Sequence, residues 1–158
     1  MVSRRGFTVL LDTSFLLPSF GVDVGRDVAD GLRLLAKHGD EVTIYYSRYS
    51  LLEALLILLR EVKRGRLKLE EACEMVEAGV TSITYGLEAS VESPEAFAEA
   101  LKLYVMGHRD IFDNMLYATA LVNEMFFLTI DDELRKFLRE NGLKDITLTL
   151  KELREKLG

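Results

Sequence analysis

Cysteine is almost absent from this chain: among 158 residues there is one thiol, Cys73, and there are only two histidines. A single cysteine excludes an internal disulfide framework, a Cys-rich zinc centre and an iron–sulfur cluster. Cys73 itself reads as a small apolar residue on a helix face. Basic residues are in deficit as well, 20 Lys and Arg against 26 Asp and Glu, for a formal net charge of −6. That balance excludes a protein that is a polybasic clamp for nucleic acid over its whole surface, while leaving room for a local basic patch. Long apolar runs are missing too. The longest, Leu51 to Leu59, is interrupted by Glu53 and falls well short of the ~18 residues needed to span a bilayer. The start, Met1-Val2-Ser3-Arg4-Arg5, carries no cleavage pattern, and the Arg4-Arg5 pair lacks the apolar region of a twin-arginine signal. These absences predict a soluble cytoplasmic protein that does not use a membrane.

What is present describes an ordinary globular domain. Hydrophobic residues make up 49% of the chain and charged residues 29%, which separates it from disordered sequences. The length suits a single domain, residues 1–158, with no repeat, low-complexity run or linker to divide it. Phe7 to Leu11 is apolar on both faces and reads as a buried central strand. Helix is expected from Val24 to Lys37, then strand from Val42 to Tyr45. A helix capped by Ser47 runs to Lys63, and another from Leu69 to Ala78 is ended by Gly79. Thr81 to Tyr85 is β-prone and predicts a short strand. Ser93-Pro94-Glu95 opens a helix to Met106, and Asp110 to Asn123 has helical spacing. Phe126 to Ile130 predicts a strand, Asp132 to Arg139 a helix, Ile146 to Leu148 a last strand, and a terminal helix follows. Strands alternating with helices predict an α/β three-layer sandwich around a mostly parallel sheet.

The informative residues are acids in apolar company. Glu53 lies in Leu51-Leu52-Glu53-Ala54-Leu55-Leu56-Ile57-Leu58-Leu59, apolar nearly all round and so expected to be largely buried. Its carboxylate then either reaches solvent, pairs with a base such as Arg48 one turn earlier, or belongs to a site. Asp12 and Asp131 each follow an apolar strand, the place where open α/β sheets bind ligands, although helix capping accounts for either one alone. Asp110 and Asp113 stand three apart at a helix start, where the dipole favours negative charge. Asp113, deeper in the helix, is the better ligand and Asp110 the better cap. Asn114 stands beside them. If Asp12, Glu53, Asp113 and Asp131 converge, they cannot all stay ionised without counter-charge. An oxygen-only set of this kind selects Mg²⁺ or Mn²⁺ over zinc.

These segments together resemble the PIN domain family over essentially the whole chain. Val9-Leu10-Leu11-Asp12-Thr13-Ser14 is similar to its apolar strand ending in Asp-Thr-(Asn/Ser), and Ser50-Leu51-Leu52-Glu53-Ala54 to its single helical Glu. Asp113-Asn114-Met115-Leu116-Tyr117-Ala118-Thr119-Ala120 resembles its Asp-x-x-(Ile/Leu)-x-Ala-x-Ala helix, and Leu128-Thr129-Ile130-Asp131 its late Thr-x-Asp motif. The resemblance implies an Mg²⁺- or Mn²⁺-dependent endoribonuclease, often a homodimer. Many prokaryotic members are the VapC-type toxin of a toxin–antitoxin pair, which would give an RNA substrate and a protein antitoxin as partners. Carried over, it makes Asp12, Glu53, Asp113 and Asp131 the catalytic, metal-holding quartet, with Ser14 and Thr129 as polar residues that orient ligands or water. Asp110 and Asp132 are extra acids beside the matched ones, so the ligand at each place can shift by a turn.

An RNA substrate needs local positive charge. Arg60 to Lys68 holds five bases and one acid, a pattern that a solvated helix end also explains. Arg48 and Arg109 are candidate phosphate contacts or counter-charges, and His108 has a surface role or serves as a general base. Two other readings stand beside the nuclease. One is a non-catalytic module of the same fold that binds RNA or protein. The other is a haloacid-dehalogenase-like phosphatase, which needs a second Asp where this chain has Ser14.

Overall fold

The computed structural model describes residues 6–158; the Arg4-Arg5 pair lies outside them. Five strands form one sheet: β1 (Phe7–Leu11), β2 (Val42–Tyr46), β3 (Glu88–Ala89), β4 (Phe126–Leu128) and β5 (Thr147–Leu148). Their order is β3-β2-β1-β4-β5 and every pairing is parallel. Seven α-helices occur among the described residues: α1 (Arg26–Lys37), α2 (Arg48–Lys63), α3 (Leu69–Gly86), α4 (Pro94–Met106), α5 (Ile111–Val122), α6 (Asp132–Glu140) and α7 (Leu150–Leu157).

The central strand shows why there are three layers. Val9 and Leu11 point to one face and pack with Phe15, Val28, Ala54 and Ile83. Leu10 points to the other, against Leu103, Leu116, Phe127 and Leu138. Alternation along β1 therefore feeds two cores, each covered by helices, which is what a parallel sheet requires. The order also reverses at β1, with β2 on one side and β4 on the other. Such a switch point opens a crevice beyond the carboxyl ends of the two strands. Asp12 follows β1 there, and Thr129 and Asp131 follow β4.

Three local features differ from what the sequence pattern announces. Thr81 to Tyr85 is not a strand but the end of α3, and the edge strand is Glu88–Ala89. Ala72, Val76, Gly79 and Ile83 recur at helical spacing and face inward, while Tyr85 is 89% exposed. Gly79 accordingly does not end a helix: a Cβ there would run into the Phe20 ring. Gly79→Ala is expected to cost about 1–3 kcal/mol through overpacking, measured as a lower melting temperature with unchanged far-UV circular dichroism. Secondly, two 3-10 turns, Thr13–Phe15 and Leu17–Phe20, follow Asp12; nothing in the periodicity announces them. Thirdly, α2 is not buried all round, since Leu52, Leu55 and Leu59 are exposed. No helix among the described residues is long and apolar enough to cross a membrane.

Candidate functional site

Asp12 is where β1 stops and the chain turns. Its Oδ1 accepts from the Thr13 backbone N–H at 2.7 Å and its Oδ2 from the Thr129 hydroxyl at 2.7 Å. Thr129 in turn accepts the Asp131 N–H at 3.0 Å. One buried threonine thus ties together the acids that leave the two central strands. Asp12 is only 5% exposed. Burial pushes its carboxyl up to about 6 against the lowering pull of the Thr129 and Thr13 hydrogen bonds, and the charges of Glu53 and Asp131 push the same way.

Asp131 also caps α6, accepting from Glu133 and Leu134. Asp113 enters from α5, at the third position after its cap Asp110, whose side chain accepts the Asp113 N–H at 3.1 Å. Burial first, then the facing carboxyl of Asp131 and the charges of Asp12 and Asp110, hold Asp113 far above the ordinary carboxylate range. Glu53 arrives from α2, half-buried, and burial raises its carboxyl too. Thr13 Oγ1, buried without a partner at hydrogen-bonding distance, faces Glu53 closely enough to favour its charge, as does Arg60; Asp110 opposes. Asp12, Glu53, Asp113 and Asp131 are therefore electrostatic neighbours, and none takes part in an ion pair among the described residues.

The remaining candidates are dispersed around this centre. Ser14 is partly buried on the 3-10 turn after Asp12. Asp110 is the cap of α5 and lines the groove described next. Asp132 is exposed on the first turn of α6 and does not enter the acids' electrostatics. Arg48 is exposed at the start of α2, outside the groove, so it is not the partner of Glu53. Asn114 is turned elsewhere. It is wholly buried, donates from Nδ2 to the His108 carbonyl at 2.6 Å, and meets His108 Nδ1 through Oδ1 at 2.6 Å. The His108 ring meets Phe137 at a tilt, centroids 5.2 Å apart, so Asn114 and His108 pin the turn between α4 and α5. Asn114→Ala is expected to cost about 1–3 kcal/mol, the penalty of orphaning buried polar groups, seen as a lowered denaturation midpoint.

Beside the acids runs a groove of about 480 Å³. One wall is a single face of α2, Glu53, Leu56, Ile57 and Arg60; the other is the entry to α5, Arg109 to Phe112. Arg60 was hidden in the basic run Arg60–Lys68, yet its distance of seven residues from Glu53 puts both on one helix face. Glu92 also escaped notice: it accepts from the hydroxyls of Ser47 and Ser90, joining the ends of β2 and β3. Cys73 is exposed and lines an apolar cleft between α2 and α3.

No family model and no curated protein matches the chain in sequence. Solved structures do match in fold. PAE2754 from Pyrobaculum aerophilum superposes with a TM-score of 0.61 at 17% identity, over 96% of this chain and 95% of that one. A chain of VapBC2 from Rickettsia felis, solved bound to a DNA fragment from its promoter, gives 0.61 at 15% identity over 90% and 98%. A toxin–antitoxin complex from Klebsiella pneumoniae gives 0.51 at 15% over 90% and 97%. At these identities the likeness is one of fold, a PIN-like three-layer α/β sandwich shared over nearly the full length of each chain.

Proposed function

We propose that this chain is a metal-dependent endoribonuclease whose acids Asp12, Glu53, Asp113 and Asp131 form the catalytic centre. One observation carries the reading: at the switch point of the sheet, Asp12 and Asp113 are buried with raised carboxyl groups and no cationic partner. A structural role for buried acids normally comes with a base or a full set of donors. Here the acids repel one another, which costs stability and is relieved by a proton or a cation.

The donor set suits Mg²⁺ or Mn²⁺, being all oxygen and free of thiolate. No three His, Cys, Asp or Glu side chains among the described residues are gathered so as to hold an ion unaided. A Mg²⁺ ion bound here would therefore take one or two of the four carboxylates and complete its shell with water. When bound, such an ion supplies a water of lowered pKa and offsets charge on the phosphate. Thr129 fixes the orientation of Asp12, and the α6 cap fixes Asp131, so those carboxyl groups need little reordering. Asp113, which holds its proton most firmly, is the group most changed by a cation.

The reading extends to partners. The toxin–antitoxin character of the Klebsiella pneumoniae complex favours a toxin role and a protein antitoxin. A homodimer is favoured by α4, where Phe97, Leu101, Tyr104 and Val105 form one exposed apolar stripe. Leu101→Glu is expected to convert a dimer to a monomer in light scattering after gel filtration; a monomeric wild type would remove this proposal. The function is tested by incubating structured and single-stranded RNAs with Mn²⁺ or with EDTA. Internal cleavage only with the metal is the expected result, and its absence across both RNA classes would return the chain to a non-catalytic binding role.

A further inference from the structure

β2 is only half covered on its outer side. β3 pairs with Tyr45 and Tyr46 alone, while β2 begins at Val42. The Ser90 N–H donates to the Tyr46 carbonyl at 2.8 Å, so the backbone groups of Tyr46, and by alternation those of Ile44 and Val42, face away from β1. The chain before β3 does not serve them. It curls into α3, where the Leu87 N–H returns to the Ile83 carbonyl at 3.0 Å. The Val42 N–H and carbonyl and the Ile44 N–H therefore have no strand opposite. Beside them lies a cleft of about 400 Å³, between residues 42–44 and 85–88. It shares Ile44, Gly86 and Leu87 with a second cleft, of about 340 Å³, between α1 and α3, whose floor includes Leu11, Phe15 and Leu35. This is the amino end of β2, opposite to the end where the acids stand.

From the unpaired half of β2 and the two joined clefts we infer a docking site for an extended segment of a partner protein, alternating apolar and basic residues and added to the sheet as a strand. An extended main chain is what satisfies edge groups at this spacing, and pockets beside the edge take alternate side chains. The register sets the chemistry of those side chains. Val42, Ile44 and Leu87 lie on the face packed against Leu11 and Phe15, so residues of the added strand on that face meet the apolar cleft between α1 and α3. Thr43 and Glu88 lie on the other face and are exposed. Glu88, with Asp40 and Glu41 in the turn before β2, makes the rim acidic. Among the described residues none of the three pairs with Lys or Arg, and Glu41 meets only His38, at 3.6 Å. Basic side chains on this face complement that rim. A second copy of this chain, paired edge to edge, would bring its own three acids against them, and like charges across strands are destabilising. The site does not depend on the nuclease reading.

The test titrates the ¹⁵N-labelled protein with the blocked peptide Lys-Leu-Lys-Leu-Lys and follows the backbone amides by NMR. The Val42, Ile44 and Leu87 amides are expected to shift while that of Asp113 does not, and the Val42 and Ile44 amides to exchange more slowly with deuterium. The permuted peptide Lys-Lys-Leu-Leu-Lys has the same composition and charge without the alternation, and is expected to bind about tenfold more weakly. Glu88→Lys is expected to weaken the alternating peptide about three- to tenfold. Glu140→Lys, an exposed acid of α6 outside both clefts, is expected to change its affinity less than about twofold. No shift up to about 1 mM peptide, shifts that map elsewhere, or equal binding of the two peptides would each overturn the site. Wild type that sediments as a dimer, with the Val42 and Ile44 amides protected before any peptide is added, would overturn the partner in favour of a second copy.

Discussion

Asp113→Asn is expected to abolish metal-dependent RNA cleavage while making the metal-free protein more stable. The two effects have one cause. Asp113 is buried among Asp131, Asp12 and Asp110, and these neighbours together with burial disfavour its charged form. Asparagine has nearly the shape of the protonated acid and no charge to desolvate, so it fits the folded protein better than the carboxylate does. For cleavage the same change removes an anionic ligand. The loss is expected to be roughly a hundredfold or more, the scale on which removal of one charge-stabilising group acts in active sites. Asp113→Asn with a raised melting temperature and no activity is the signature of a functional acid retained against stability. A variant that cleaves as fast as wild type would take Asp113 out of the centre.

The second large effect is on the pH dependence of stability. Asp12 titrates at about 6 in the folded protein against 3.8 when unperturbed. The folded state therefore binds more protons than the unfolded one between those values, and stability falls as pH rises. Below pH 4 the contribution is fully present; above pH 6 it is gone. The difference of about two pH units corresponds to about 3 kcal/mol. Asp113 adds a loss of the same sign that continues to higher pH, because its carboxyl is raised further. Denaturant unfolding in EDTA is thus expected to show a midpoint that declines from pH 4.5 to pH 8. In Asp12→Asn the decline is smaller, and most of the difference from wild type falls below about pH 6. A wild-type midpoint that rises steadily over this range would mean that these acids are not buried together.

Much of this was legible from the sequence because the relevant signals are local. Phe7 to Leu11 is apolar without alternation, and the strand is central with a core on each face. Ser47 and Ser93 announce their helices and do cap them. The acids after β1 and β4 fall at one edge of the sheet because those strands are parallel neighbours. Other features depend on partners distant in sequence. Thr81-Ser82-Ile83-Thr84-Tyr85 has β-prone composition, yet Ile83 continues the inward series begun at Ala72, and packing of Gly79 on Phe20 outweighs propensity. Arg48 looked like the base for Glu53 because it is one turn away, but the base that favours its charge is Arg60, two turns away on the same face. Asn114 looked like part of the acidic centre because it adjoins Asp113. Adjacent helical residues diverge by about 100°, which sends its amide to His108 instead.

The central claim is that the acids at the carboxyl edge of the sheet form a cation site, and a thermal melt at pH 8 in increasing Mn²⁺ tests it most directly. A bound ion stabilises the folded state by RT ln(1 + [L]/Kd), about 2.7 kcal/mol at a hundred times Kd. For a chain of this size that is a rise of roughly 5–10 °C, and Asp12→Asn run in parallel should lose most of it. Wild type whose melting temperature stays fixed up to millimolar Mn²⁺, or Asp12→Asn that responds as wild type does, would contradict the account.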